Sequence, residues 1–294
     1  MRTIFFLFLI FCSGFNLLAQ PYIDIFSVHY QRSPDAALFG KGKNPFATDY
    51  LNANINLPVK VFKHDRLLIN PVFEWNKLTF IKQDSTNINL YGITLALSYV
   101  KQWKNEKWKT VLVSVNRISS DLKNITIKHY QPGVAVLMIY ERSEKIKYKL
   151  GAFYNAEFFG PFILPLIGVE WKISKRFILH GLVPRNLALE YKITPSLYVG
   201  LNWKAITNSF RYQSDNTNDY FKIEESQIRL FADIYITKHL VFNIEAGHSF
   251  LREYNAHLNS PLYENNERDF NLLANEGLLF KAGLYYRIRL DEKK

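Results

Sequence analysis

The adjacent residues His248 and Ser249 carry the side chains of a catalytic base and a nucleophile. A serine hydrolase needs the histidine ring within hydrogen-bonding reach of the serine hydroxyl, so that the ring can take its proton. The surrounding residues alternate between apolar and polar, and neighbouring residues of a strand point to opposite faces. His248 shares its phase with Phe242, Ile244 and Phe250, whereas Ser249 does not. The sequence therefore predicts that these two side chains do not meet.

Four carboxylates between residues 253 and 276, at Glu253, Glu264, Glu267 and Asp269, have the ligand type that Ca²⁺ prefers. Acidic loops are more often simply solvated, and no metalloprotease motif or glycine-rich phosphate loop occurs in the chain. We therefore expect no catalytic residue, no cofactor and no metal site. We also expect a protein that is not an enzyme.

A larger set of polar side chains occupies alternate positions of apolar segments. In residues 50–61 every second side chain is apolar, and most of the others are asparagine, tyrosine or lysine. Such a strand has one apolar face and one hydrogen-bonding face. A charge that faces lipid from a membrane barrel costs about 2–4 kcal/mol at mid-membrane, so the polar face is expected to line a lumen. The lumen candidates are Asn52, Asn54, Asn56, Glu170, Lys172, Glu190, Lys192, Lys204, Arg229, Asp233, Lys281, Arg287 and Arg289.

The elements that position these residues are β-strands, because the apolar residues recur every two positions and not every 3.6. Short polar connections alternate with longer ones, as periplasmic turns and extracellular loops do in outer-membrane barrels. The spacing predicts an all-β, antiparallel transmembrane barrel of about fourteen strands. A kink at Pro184 in one long strand would give twelve. The clearest alternating segments are residues 91–99, 167–173, 187–193, 197–204, 228–236 and 278–290.

The first nineteen residues read as a cleaved export signal, with Arg2, an apolar run and Ala19 before the expected cut. We expect residues 20–294 to form one barrel domain without a cysteine, because Cys12 lies in the signal. The longest other apolar stretch, residues 158–171, is shorter than the roughly 20 residues of a spanning helix. A membrane form of this chain must then be a closed barrel, which satisfies every backbone hydrogen bond.

The formal charge of +11 suits anionic solutes or lipid head groups. The basic residues are scattered and form no arginine-rich run or basic helix, which disfavours nucleic acid as a partner. Trp103, Trp171 and Phe177 share the lipid-facing phase beside short turns and are predicted to form an aromatic girdle at the periplasmic interface. Trp108 has the opposite phase.

The start at residues 18–22, the central run at 165–173, the segment at 189–193 and the last strand at 282–288 resemble small outer-membrane β-barrel proteins of Gram-negative bacteria. In particular, the chain resembles an uncharacterised family classed as a domain of unknown function. The resemblance implies an outer-membrane location, outer-membrane lipid as surroundings and insertion by the barrel assembly machinery. It implies no catalytic residue. Many such barrels end on an aromatic residue, whereas this chain continues past Leu290 with four charged residues.

The function expected from these patterns is a structural barrel or a narrow passive channel for small, anionic solutes. One alternative is a lipid hydrolase at the barrel rim. Another is a barrel that binds a partner through the loop predicted at residues 253–276.

Overall fold

The computed structural model of the protein describes residues 21–34, 46–62, 64–80, 87–123, 125–212, 219–258, 268–273 and 276–290. The predicted export signal at residues 1–19 lies outside this set. Within the described part of the chain, no helix is long and apolar enough to cross a membrane.

Sixteen strands and one short 3₁₀ helix, Ile127–His129, make up the regular structure of the described residues. Aromatic residues are 16% of the chain, and such residues fit a pleated, half-buried surface well. The strands are β1 (Tyr22–Ser33), β2 (Phe46–Ile55), β3 (Leu57–Lys60), β4 (Arg66–Phe80), β5 (Asn87–Gln102), β6 (Trp108–Ser120), β7 (Tyr130–Ser143), β8 (Ile146–Glu157), β9 (Gly160–Lys172), β10 (Phe177–Val183), β11 (Asn186–Thr194), β12 (Leu197–Arg211), β13 (Tyr220–Tyr235), β14 (Leu240–Leu258), β15 (Arg268–Leu273) and β16 (Gly277–Arg289).

The strands close into an antiparallel barrel, because β1 pairs with β16 as well as with β2. β2 and β3 share one position beside β4, and β15 and β16 share one position beside β14. The wall therefore has fourteen strand positions, which confirms the predicted number. Residues 184–185 form a turn between β10 and β11, so the twelve-strand alternative is wrong.

The outer face of the barrel is apolar, as the alternation predicts. On β5, Ile93, Leu95 and Leu97 are 48%, 42% and 37% exposed. Their neighbours Thr94 and Ala96 point to the interior. Exposed apolar side chains continue around the wall, and a belt of this kind needs lipid around it to be stable.

The two ends of the barrel differ. The end that we call the turn end holds the start of β1, the end of β16 and short connections such as residues 144–145 and 195–196. The opposite end, the loop end, has two connections of only two residues, 158–159 and 184–185, which are shorter than the predicted outer loops. Residues 253–276 were expected to form a loop. Instead, β14 runs to Leu258 and β15 pairs antiparallel with its last residues, so residues 253–258 and 268–273 are strands.

Candidate functional site

The candidate site is the barrel interior, and the charged lumen candidates do face it. Each lies in the inward phase of its strand, from Glu170 on β9 to Arg289 on β16. Half of them are buried and the others are partly buried, because side chains from facing parts of the wall meet across the interior.

The three asparagines of the candidate set have different roles. Asn52 points inward and is buried. Asn54 accepts a hydrogen bond of 2.6 Å from the Asn70 side chain. Asn56 lies between β2 and β3, and its side-chain amide donates to the Asp24 carbonyl at 2.7 Å. Asn56 therefore stabilises the backbone at an interruption of the wall.

At the turn end, ion pairs cross the lumen. Arg289 binds Glu190, although β16 and β11 lie four positions apart in the wall. Arg287 Nε lies 2.6 Å from Asp24 Oδ1, and the same guanidinium also binds Asp233. We call Asp24, Glu190, Asp233, Arg287 and Arg289 the turn-end closure.

Tyrosine rings reinforce the turn-end closure. The Arg287 guanidinium lies 3.6 Å from the ring centre of Tyr22, and that of Arg289 lies 3.8 Å from the ring centre of Tyr198. A cation over an aromatic face gains electrostatic attraction, and more of it when water is excluded. The arginines are thus held by rings as well as by carboxylates.

Above this closure, one carboxylate neutralises two of the predicted cations. Glu245 lies 3.0 Å from Arg229 Nε and 2.8 Å from Lys281 Nζ. Asn202 donates a further hydrogen bond to the same carboxylate. A buried charge is tolerated when it is paired and hydrogen-bonded in this way.

Lys204 differs from the other inward cations of this region. Its Nζ faces the ring of Tyr50 at 5.9 Å, across the lumen from β12 to β2. Among the described residues, no carboxylate lies within 4.0 Å of it. Besides its burial, the charges of Arg229, Lys281, Glu74 and Arg185 act on it. Because Glu245 offsets Arg229 and Lys281, Lys204 is the inward cation of this region that no described carboxylate neutralises directly.

At the loop end, apolar side chains cross the lumen. Leu78 and Leu90 come from one side of the wall, and Phe210 packs against them from the other side with an exposed fraction of 0%. These inward residues fill the interior as a core would, and sequence reasoning missed them. We call the whole cluster the loop-end closure: Leu78, Leu90, Phe210, Phe221, Ile223 and Tyr254.

The end of β12 forms this closure because it bends toward the opposite wall. Arg211 pairs in parallel with Ser120 of β6, and its carbonyl accepts from the Asp121 amide at 3.1 Å. Below them, Arg117 donates to the Asn208 side chain at 3.0 Å. Hydrogen bonds as well as apolar contacts therefore hold β12 across the lumen.

Between the closures, one side of the lumen wall is apolar. On β5 to β7 the inward side chains include Ala96, Val113 and Leu137, and near the turn end Val100 packs with Ile139. The predicted polar face thus describes the inward side chains of β2 and of β11 to β16 better than those of β5 to β7.

The predicted His–Ser arrangement is as expected from the strand. His248 is exposed on the outer face, whereas Ser249 points inward, 1% exposed, and donates to the Glu225 carboxylate at 2.9 Å. Of the acidic residues considered for Ca²⁺, Glu264 and Glu267 lie outside the described part of the chain. No group of three potential metal ligands occurs in the part that is described.

The predicted girdle residues lie on the outer surface beside the short turns. Trp103, Trp171 and Phe177 are 46%, 42% and 41% exposed. Trp108 also points outward, with its ring centre 4.7 Å from that of Tyr140, so its predicted phase is wrong. The turn before β6 resets the alternation, which phase counting through the turn cannot detect.

Comparison with known proteins identifies a sequence family and several solved structures of low sequence identity. A crystal structure of an outer membrane channel from Pseudomonas putida F1 is 10% identical, with 94% of this chain and 99% of that chain covered and a TM-score of 0.49. The NanC porin is 8% identical, with 90% and 100% covered and a TM-score of 0.40. LpxR from Salmonella typhimurium is 7% identical, with 88% and 99% covered and a TM-score of 0.38. These structures are too distant to indicate a function.

A search of curated protein sequences finds no match. The model of the family described as "Domain of unknown function (DUF6268)" matches residues 73–289, which is most of the chain. The protein is an outer-membrane type of β-barrel that belongs to this family.

Proposed function

We propose that the protein is a non-enzymatic barrel that acts as a narrow passive channel for small anionic solutes. The observation that carries the proposal is Lys204, a lumen cation that no described carboxylate neutralises, between the two closures. Arg229, Lys281, Arg287 and Arg289 are all paired with carboxylates. An anion that reaches this level therefore meets a net attraction, and polar groups replace part of its hydration.

Within the part of the chain that the structure describes, both closures consist of side chains and one strand end. Rotation of Arg289 away from Glu190, together with rotation of Arg287 away from Asp233, would open the turn end. Displacement of the end of β12, with Phe210, would open the loop end. We propose that the described state is the closed form of the channel and that passage follows transient opening of both closures.

The surroundings of the barrel belong to the same proposal. Outer-membrane lipid would contact the apolar outer face, and the barrel assembly machinery would insert the chain after export. The lumen would hold small solutes without a cofactor, and nucleic acid would not bind. The hydrolase alternative gains no support from the one adjacent His–Ser pair, because its two side chains lie on opposite faces.

Conductance of the refolded protein in planar bilayers tests the proposal. We expect brief openings with a reversal potential that favours chloride in a KCl gradient. Lys204→Gln should lose this preference, whereas Lys101→Gln, an exposed change at the turn end, should keep it. The double variant Glu190→Gln with Phe210→Ala should open far more often. A silent double variant, or a wild type that prefers cations, would overturn the anion channel.

A further inference from the structure

The barrel wall has an opening on one side, between β9 and β12. β10 is only seven residues long and pairs with β9 no further than Ile167. β11 pairs with β12 only up to Lys204. Residues 160–166 of β9 and 205–209 of β12 therefore face each other with no strand between them. Seven residues of strand span about 23 Å. We call this opening the side gap.

The β9 edge of the side gap lacks most of the backbone donors that it would otherwise expose. The Lys172 amide donates to the Lys145 carbonyl beside β8, and the β8–β9 register is continuous from there. Even-numbered amides of β9 therefore point to β8, and the amides of positions 161, 163 and 165 point into the gap. Pro161 and Pro165 have no N–H to expose there. An unpaired donor away from water costs about 1–3 kcal/mol, so these prolines make an unpartnered edge tolerable.

On the β12 edge, two of the backbone amides that face the gap have acceptors outside β11. The Ala205 amide donates to the Arg185 carbonyl at 3.1 Å, at the floor of the gap. The Ser209 amide donates to the Glu157 carboxylate at 3.1 Å. The Phe158 amide donates to the Ser209 hydroxyl at 2.9 Å and closes the gap at the loop end. The gap is thus bounded above and below and opens sideways.

The side gap joins lipid to the lumen through apolar surface. Outside it, Ile163 and Ile167 are 69% and 64% exposed on the lipid-facing side. Inside it, Phe162, Leu164 and Leu166 form a single inward row on β9. Lys204 pairs with Asn186, the first residue of β11, at the floor and points inward. An apolar row beside one unneutralised cation has the form of a site for an amphiphile.

We propose that the side gap admits a single-chain amphiphilic anion from the membrane, with its alkyl chain along Phe162, Leu164 and Leu166 and its head group at Lys204. One row of side chains matches one chain, and one ammonium group matches one negative charge. The inference names a substrate class for the proposed channel. It rests on the proposed function only in that the bound amphiphile is taken to be the transported solute.

Photolabelling of the full protein in lipid vesicles tests the inference. The probe is decanoate with a diazirine near the chain end, and adducts are mapped by peptide mass spectrometry. We expect adducts on inward Phe162, Leu164 and Leu166 as well as on outward Ile163 and Ile167. Lys204→Gln should reduce the inward adducts about tenfold, since a hydrogen bond to a charged group is lost. The outward adducts serve as an internal control and should not change.

Two further probes distinguish a charged single-chain ligand from an uncharged one and from a phospholipid. The alcohol with the same chain should label the inward row weakly; equal labelling would overturn recognition by charge. A diazirine phospholipid that labels the inward row as strongly as decanoate would overturn the single-chain ligand. Labelling of outward residues alone would overturn entry through the gap.

Folding and channel function are controlled separately. Lys204→Arg should retain labelling of the inward row. If Lys204→Gln does not fold, the comparison of the carboxylate probe with the alcohol probe on the wild-type protein still shows whether the head group is recognised by its charge. Chloride conductance is measured without the amphiphile. A silent bilayer with inward labelling would reject the channel alone, whereas conductance with only outward labelling would reject the amphiphile site alone.

Discussion

The two closures of the lumen have opposite chemistry. At the turn end, short turns hold neighbouring strands together, and arginines reach carboxylates across a wall of regular strands. At the loop end, β12 lacks a neighbour on its β11 side, bends inward and buries Phe210 against Leu78 and Leu90. The missing strand partner therefore accounts for both the apolar closure and the side gap. The ionic closure can be opened by side-chain rotation, whereas the apolar one requires movement of a strand end.

The largest effect is expected from Phe210→Ala, which leaves a cavity in the loop-end closure. Truncation of a fully buried phenylalanine should lower the free energy of unfolding by about 4 kcal/mol, because apolar burial is lost and the site collapses only partly. Urea unfolding in lipid vesicles measures it. Phe280→Ala, where the ring is 51% exposed to lipid, is the matched control and should lose less. Equal losses would mean that the closure is not packed as a core.

Glu190→Gln tests the turn-end closure. The change leaves the Arg289 charge without its carboxylate, and removal of one partner of a buried pair costs about 3 kcal/mol. The double variant Glu190→Gln with Arg289→Gln should recover part of this loss, because no unpaired charge remains. A double-mutant cycle measured by the same unfolding experiment gives the coupling energy. Additive losses would show that the pair does not hold the turn end closed.

The strands and their faces could be predicted from the sequence, because alternation is a local property of the chain. The contacts between closures could not, since they depend on which inward residues meet across the barrel. Leu78, Leu90 and Phe210 lie in the polar phase near predicted loops, and large apolar residues there were a usable signal. Pro161 and Pro165 lie four positions apart in one strand, so both lack an N–H on the same edge of that strand. This spacing was a usable signal for an edge without a strand partner.

Pro165→Ala tests whether the β9 edge of the side gap lacks a hydrogen-bonding partner. The new N–H points into the side gap without an acceptor, so stability should fall by about 1 kcal/mol. Pro161→Ala introduces a donor on the same edge and should behave alike. Hydrogen exchange of the new amide should be fast in both variants. Slow exchange, or greater stability, would indicate that a strand or loop covers this edge.

The smallest effect concerns acid at the turn end. Asp65 precedes β4, outside the membrane-spanning strands, and the Tyr99 hydroxyl donates to it at 2.5 Å. This bond lowers the pKa of Asp65, with a further contribution from the Gln102 amide. Because the folded pKa lies below the unfolded one, the stabilisation is complete above the usual pKa of about 4 and is lost as pH falls through the lowered value.

The expected loss on acidification is roughly 0.5 kcal/mol, since the group lies near the surface. Unfolding midpoints between pH 7 and pH 2 measure it against Asp65→Asn, which should lose this part of the pH dependence. Phe210→Ala should retain it, because the apolar side chains of the loop-end closure do not titrate in acid. If Phe210→Ala flattened the acid response as Asp65→Asn does, the two ends of the barrel would not be independent, and the contrast between the closures would fail.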